Sequence, residues 1–246
     1  MTPLPRLYTG LAAWWPLFSH PEDCAEEAGW IWNALSGALG KSPAHVLELG
    51  WGGGNVASHL TRHARMTLVD PSQAMLDVSR RLNREAEHVE GDMRSVRLGK
   101  TFDAVIIHDA IMYMTTESDL VAALTTARTH LKADGALIVL PDHMAETYEP
   151  GVATGGHDAS DGSGHGLRYI AWSQKPVAGA TTYDLDFAIM ARGVDGTVQV
   201  FQDRHRMGLF SRNVWREAFA RAGFTRPDPR RDPWRREVFV ARPAGA

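Results

Sequence analysis

The sequence predicts a doubly wound α/β fold with an antiparallel unit inserted after its fifth strand. Three observations carry this. From residue 45 to 140, short β-rich runs alternate with stretches of helical spacing, and repeated β-α order implies a parallel sheet with helices on both faces. One of those runs, FDAVIIH (102–108), is almost continuous in apolar residues, as a strand buried on both faces should be. After Pro141 the alternation stops, and three β-rich runs follow one another with turn residues between them.

Taken in order, a tryptophan-rich segment over residues 7–40 reads as helical. HVLEL (45–49) is the first strand, and 54–63 is helical. MTLVD (66–70) is the second strand, followed by a helix over 71–84 with Pro71 in its first turn. HVEGD (88–92) holds the third strand and FDAVIIH the fourth. Leu120, Leu124, Ala127 and Leu131 place a helix over 117–132, with Ala133-Asp134-Gly135 as its stop. GALIVLP (135–141) is the fifth strand. A Gly/Ser/Asp/His-rich loop over 150–166 leads to LRYIAW (167–172), TTYDLDFAIMA (181–191) and TVQVFQDRHRM (197–207). Helical spacing returns over 211–223 between Ser211 as N-cap and Gly223 as C-cap, and REVFVARP (236–243) is the last strand. The chain thus divides into a helical cap (1–44), a ligand-binding core (45–141), an inserted lid (142–207) and a segment completing the core (208–246).

The totals exclude several functions. A length of 246 residues suits one domain with an insertion, and 44% hydrophobic with 22% charged residues is ordinary for a globular protein. A net charge of −3 argues against a broad phosphate-binding surface. The basic run RPDPRRDPWRR (226–236) is broken by prolines, Asp228 and Asp232, and reads as a solvated loop, so no nucleic-acid partner is expected. A single cysteine, Cys24, rules out a disulfide framework and CxxC metal clusters. No apolar run approaches the roughly 20 residues of a membrane helix, and MTPLPRLYTG lacks a signal-peptide pattern. The expectation is a cytoplasmic protein with no membrane partner, monomeric or homodimeric.

The ligand is read from three strand ends. VLELGWGGGN (46–55) nearly fits GxGxxG, but Asn55 takes the third glycine position. Alone, this turn does not choose between cofactors. Glu48 precedes it, and the second strand ends in Asp70, placed to bind ribose hydroxyls. Glu90-Gly91-Asp92-Met93 puts another carboxylate after the third strand, where it can accept from the amine of adenine. Acids at three successive strand ends suit a ligand with an amino group, a ribose and an adenine but no phosphate, namely S-adenosylmethionine. A nicotinamide enzyme on the same half-fold is the alternative.

ELGWGGGN, LVD and EGDMR resemble the successive binding motifs of class I S-adenosylmethionine-dependent methyltransferases, clearly over 45–140. GDMRSVRLG with FDAV, and FQDRHRMGLFSRNVWREAFARAGF, are similar to small bacterial, actinobacterial members that include the deoxysugar N-methyltransferases. The resemblance implies a Rossmann-like methyltransferase sheet. It implies that Glu48, Gly50 and Gly52 hold the methionyl part, Asp70 the ribose, and Asp92 with Met93 the adenine, with Trp51, Pro71, Met75 and Gly91 as further cofactor contacts. His108 would touch the cofactor through its backbone, and Tyr8 would fold over it from the N-terminal segment. Trp51 departs from the small residue usual at its position.

Methyl transfer is an in-line displacement, so the protein must align a nucleophile, exclude water and remove a proton. His108, Asp109 and Tyr113 follow the fourth strand, and Asp142 and His143 the fifth; these are the candidates for orienting or accepting protons. His157, Asp158, Tyr169 and His205 are the candidates for substrate contact, with the 150–166 loop as a mobile lid and no metal site expected. The expected function is methylation of a small-molecule metabolite or natural product at nitrogen or oxygen. The alternatives are an RNA or protein methyltransferase, or a non-catalytic S-adenosylmethionine binder.

Overall fold

A computed structural model describes residues 4–50 and 52–245. Trp51 lies outside the described residues. A seven-stranded sheet has the order β10-β11-β5-β4-β1-β2-β3. Its parallel strands are β1 (His45–Leu49), β2 (Arg65–Asp70), β3 (Glu87–Glu90), β4 (Phe102–Ile107) and β5 (Leu131–Val139). β11 (Glu237–Ala241) pairs antiparallel with β5, and β10 (Asp228–Arg231) antiparallel with β11. The order reverses between β1 and β4, and ligands bind at such a switch point outside the carboxyl ends of the strands.

Alternate residues of the central strands feed two cores, as the two-residue period of a strand requires. Val46, Leu68, Ala104, Ile106 and Ile138 pack with Ile31 and Leu35 of α2 (Ala25–Leu39) and Val56 and Leu60 of α3 (Asn55–Leu60). Leu47, Val69, Val105, Ile107 and Leu137 pack with Leu120 and Leu124 of α5 (Glu117–His130) and Trp215 and Phe219 of α6 (Arg212–Arg221). Every residue of β4 is buried, as its apolar run predicts.

Between β5 and α6 the chain forms a second sheet, β6-β7-β8-β9, wholly antiparallel. Its strands are β6 (Val152–Gly155), β7 (Gly166–Ser173), β8 (Thr182–Arg192) and β9 (Val198–Gly208). The N-terminal segment is broken into 3-10 turns at Arg6–Tyr8, Ala12–Trp14 and Pro21–Cys24, the short α1 (Trp15–Phe18), and then α2. Leu7 and Leu11 from this segment share a core with Leu167, Ala171, Phe187 and Ile189 of the second sheet. Phe18 stacks on Tyr169 at 4.3 Å between centroids.

Four local expectations are corrected. The helix preceding β5 ends at His130 rather than 132, and Ala133-Asp134-Gly135 lies within β5, because Leu131 pairs with Phe102 before a register shift. Pro71 precedes α4 (Gln73–Leu82) instead of sitting in its first turn, and Ser72 is the N-cap. The glycine-rich stretch 150–166 contains β6 and a bridge between Asp158 and Gly166, so it is a built part of the sheet. The basic run 226–236 contains β10.

Candidate active site

The glycine turn follows β1 and is shaped by backbone sterics. Gly50 has φ 75, and a Cβ there would lie 2.4 Å from both Ala110 Cβ and Met93 Cε. No larger residue fits that conformation and that space. Gly52 donates its N–H to Asp70 Oδ2 at 2.8 Å, and Ser72 donates to Asp70 Oδ1 at 2.8 Å. Asp70 therefore sits at the end of β2 with each oxygen held by one backbone N–H and lone pairs left over. Burial pushes its carboxyl up to about 6, against the lowering effect of those two hydrogen bonds. Met75 Cε lies 3.7 Å from where a Gly52 Cβ would be. Asn55, in the place of a third glycine, donates from its amide to Ser19 O and Oγ at 2.9 Å and ties the N-terminal segment to the turn.

The same segment roofs the turn. A Cβ on Gly53 would fall 2.0 Å from Trp15 Cδ1, so the indole lies directly on that glycine. Ser72 Oγ donates to the Tyr8 carbonyl. Two buried polar atoms here lack a protein partner, Glu48 Oε2 and Trp15 Nε1. Buried polar groups are nearly always paired, so an orphan acceptor and an orphan donor beside a glycine cradle fit a polar, ligand-sized group. Burial raises the Glu48 carboxyl well above its ordinary value.

On the third strand's side, Gly91 packs against Val96 and Met93 is buried. Asp92 accepts from the Arg94 backbone at 2.8 Å and from its guanidinium, which also reaches Asp119 at 3.1 Å. Those bonds hold Asp92 below the usual carboxylate range and leave it less acceptor capacity for an adenine amine.

Beyond β4 and β5 lies a charged recess. His108 Nε2 stands 2.9 Å from Glu27 Oε1 and 3.3 Å from Asp109 Oδ1. The Glu27 contact has the separation of an ion pair without the alignment of a hydrogen bond. Burial alone would lower the His108 pKa, but Asp109, Glu27 and Glu48 outweigh it and hold the imidazole at about 10. Arg236 pairs with Glu27, with Asp232 at 2.6 Å and with Asp109 at 3.5 Å. Asp142 is pushed well above the carboxylate range by burial and by its hydrogen-bonded neighbour Asp109. His143 lies beside Tyr148 and Tyr183, with centroids at 5.1 and 5.8 Å, and burial lowers its pKa.

The structure brings Tyr8, Tyr113 and His205 together, from three distant segments. The Tyr8 and Tyr113 hydroxyls are 2.8 Å apart, and Tyr113 reaches His205 Nδ1 at 2.7 Å. His157 and Asp158 are placed elsewhere. His157 binds Asp23 at 2.9 Å, and Asp158 is held by Arg168 and Arg192 at 2.8 and 3.1 Å. Tyr169 belongs to the packing of the N-terminal segment on the second sheet. Among the described residues, no group of three or more His, Cys, Asp or Glu could hold a metal ion.

Sequence reasoning missed Glu27, Asp203 and Arg236. Asp203 had a signal, because it lies two residues before His205 on a strand and shares its face. Glu27 and Arg236 are 209 residues apart and had none.

Residues 46–135 match a family described as a methyltransferase domain. With the sheet order and the cradle above, this makes the chain a class I S-adenosylmethionine-dependent methyltransferase. Within that class it is related to the deoxysugar N-methyltransferases. It is 28% identical over 201 residues, 81% of this chain and 83% of the relative, to the dTDP-3-amino-3,4,6-trideoxy-alpha-D-glucopyranose N,N-dimethyltransferase of Streptomyces venezuelae. It is 28% identical over 184 residues, 74% and 70% of the two chains, to the dTDP-3-amino-3,6-dideoxy-alpha-D-glucopyranose N,N-dimethyltransferase of Streptomyces fradiae. The crystal structure of Streptomyces venezuelae DesVI superposes with a TM-score of 0.81 at 25% identity, over 90% of this chain and 92% of that one.

Proposed function

We propose that this methyltransferase transfers its methyl group to the amine of a nucleotide-linked amino sugar. The observation that carries this is the pair of carboxyl groups at the ends of β4 and β5, where Asp109 and Asp142 lie together beside His143 and Tyr113. Asp109 is countered by His108 and Arg236, and burial holds Asp142 uncharged, so what the recess offers an amine is carboxyl oxygens to accept its N–H groups beside a neutral imidazole. The two relatives named above act on dTDP-amino sugars.

When bound, S-adenosylmethionine supplies the activated methyl carbon. Asp70 would hold the ribose hydroxyls, and Glu48 with Gly50 and Gly52 would bound the methionyl end, next to Met75 and Met93. Asp109 and Asp142 would orient the acceptor amine. An amine must lose a proton to expose its lone pair. His143, kept neutral by burial, is the base suited to take it at Nδ1 or Nε2. The cap and the second sheet would exclude water from above. In this reading residues 1–44 are the cap, 45–141 the cofactor core, 142–207 the lid, and 208–246 complete the core.

No helix among the described residues is long and apolar enough to cross a membrane. A cytoplasmic setting, where S-adenosylmethionine is made, goes with the reading. A nucleic-acid acceptor is not part of this reading: in the basic run Arg230 and Arg236 are paired with Asp228, Asp232 and Glu27. The outer face of the lid supports a homodimer, because Val152, Ile170, Trp172, Met190, Val198 and Val200 are all at least half exposed there. These apolar side chains share the face with Arg168, Asp186, Arg192, Gln202 and Arg204, a mixture of apolar and charged groups that a second copy could cover.

Mass spectrometry of reactions with dTDP-amino sugars and matched hydroxyl sugars tests the assignment. The expected product is the N-methylated and then N,N-dimethylated amine, with turnover lost in Asp142→Asn. Methylation of the hydroxyl sugars alone would overturn it.

A further inference from the structure

Tyr8, Tyr113, His205 and Asp203 form one hydrogen-bonded chain, and its direction is fixed from the far end. Asp203 Oδ2 accepts the Leu7 N–H at 2.7 Å and lies 3.2 Å from His205 Nε2. A carboxylate can only accept, so Nε2 carries the proton. Burial lowers the His205 pKa, which leaves the ring neutral and Nδ1 an acceptor. Tyr113 must then donate to Nδ1 across 2.7 Å. Its single proton is used there, so its oxygen accepts from Tyr8 across 2.8 Å. The Tyr8 proton in turn points at Tyr113, and the free side of the Tyr8 oxygen carries lone pairs only.

Tyr8 stands at the wall of the cofactor cradle. Its carbonyl accepts from Ser72, which in turn donates its N–H to Asp70. Its ring is 5.8 Å from Trp15, the residue lying on Gly53. Asp70, Asp109 and Asp142 are all close enough to affect its hydroxyl. Tyr8 is thus tied to the cradle through Ser72 and Trp15 and is within electrostatic reach of the carboxyls proposed for the acceptor end.

We propose that Asp203 is a positioning residue: through His205 and Tyr113 it turns the Tyr8 proton away, so that the Tyr8 oxygen presents lone pairs to the cationic, methyl-bearing sulfonium. The inference rests on the placement of Tyr8 beside the cofactor. A neutral thioether, as in S-adenosylhomocysteine, gains nothing from those lone pairs, so the chain favours the charged form over the spent one. The C–H groups beside a sulfonium are polarised, and oxygen contacts to them are individually weak.

Two readouts test this. Nitrogen-15 NMR of the imidazole rings, with His205→Gln to assign the signal, reports the tautomer of His205 directly. The Nε2–H form is expected in the unaltered protein and in Asp203→Asn, whose amide oxygen still accepts. A mixture with Nδ1–H is expected in Asp203→Ala. Calorimetry with S-adenosylmethionine and S-adenosylhomocysteine reads the consequence. Tyr113→Phe, which leaves Asp203 and Leu7 untouched, should narrow the preference for the sulfonium by about two- to fivefold. Affinity for S-adenosylhomocysteine should be unchanged. An Nδ1–H ring in the unaltered protein, or an unchanged preference in Tyr113→Phe, would overturn the proposal. Loss of binding for both ligands in the unaltered protein would instead strike at the cofactor cradle itself.

Discussion

Lowering the pH should weaken cofactor binding through Asp70, and the structure sets where and by how much. The free carboxyl sits at about 6 because burial outweighs the N–H groups of Gly52 and Ser72. A ligand whose ribose hydroxyls donate to this group binds its ionised form. At pH 7 about nine-tenths of the free protein is in that form, and at pH 5 about one-tenth. Affinity for S-adenosylmethionine should therefore fall about tenfold between those values, or about 1.4 kcal/mol. The sign follows from the raised pKa: the loss occurs as pH falls through 6, well above the ordinary aspartate range. Calorimetric titration at half-unit steps measures it, with Asp70→Asn as the control expected to bind more weakly at pH 7 and to show no step. An equal affinity at pH 7 and pH 5, or the same slope in Asp70→Asn, would refute the reasoning.

Gly50→Ala places a Cβ into Ala110 and Met93 at a φ that side chains rarely adopt. It should cost about 1–3 kcal/mol in denaturant unfolding and abolish cofactor binding; a fully stable, binding-competent variant would contradict the cradle. His108 is held at about 10, above its ordinary 6.5. The stability it gains from its acids is therefore fully present below pH 6.5 and is lost as pH rises through 10. The melting-temperature gap between the protein and His108→Gln should be widest near pH 6 and close progressively toward pH 10. A gap that widens with pH would reverse the assignment of charge. If the outer face of the lid joins two copies, sedimentation should give twice the 27.1 kDa chain mass, and the double substitution Trp172→Glu with Met190→Lys should give the single chain.

What the sequence made legible is what depends on near neighbours. The strand at 102–107 is visible because its burial on both faces needs apolar residues at every position. Asp70 is visible because a strand end and a glycine turn lie close along the chain. The end of α5 is not visible. Leu131 has helical spacing with Leu124 and Ala127, yet it leaves the helix to pair with Phe102, a contact no local pattern encodes. The stretch 150–166 has the composition of a loop, but β7 supplies partners for its backbone and Arg168 and Arg192 for Asp158. Asn55 looks like a defect in a glycine fingerprint until Ser19 appears above it.

The reacting end of the site is the least legible in the sequence for the same reason. The residues proposed to hold the cofactor come from the ends of β1, β2 and β3, consecutive in the chain, and so form an ordered series of motifs. The recess draws Glu27 from α2, Asp109 and Asp142 from beyond β4 and β5, and Arg236 from the approach to β11. The hydroxyl chain draws Tyr8 from the cap and His205 from the lid. Both depend on the N-terminal segment, which shares a core with the second sheet and lies on the glycine turn. In the proposed reading, assembly of the acceptor end is thereby linked to exclusion of water from it, which methyl transfer requires. A fold built this way can change its acceptor by altering the cap and lid while leaving the three strand ends, and so the cofactor, untouched.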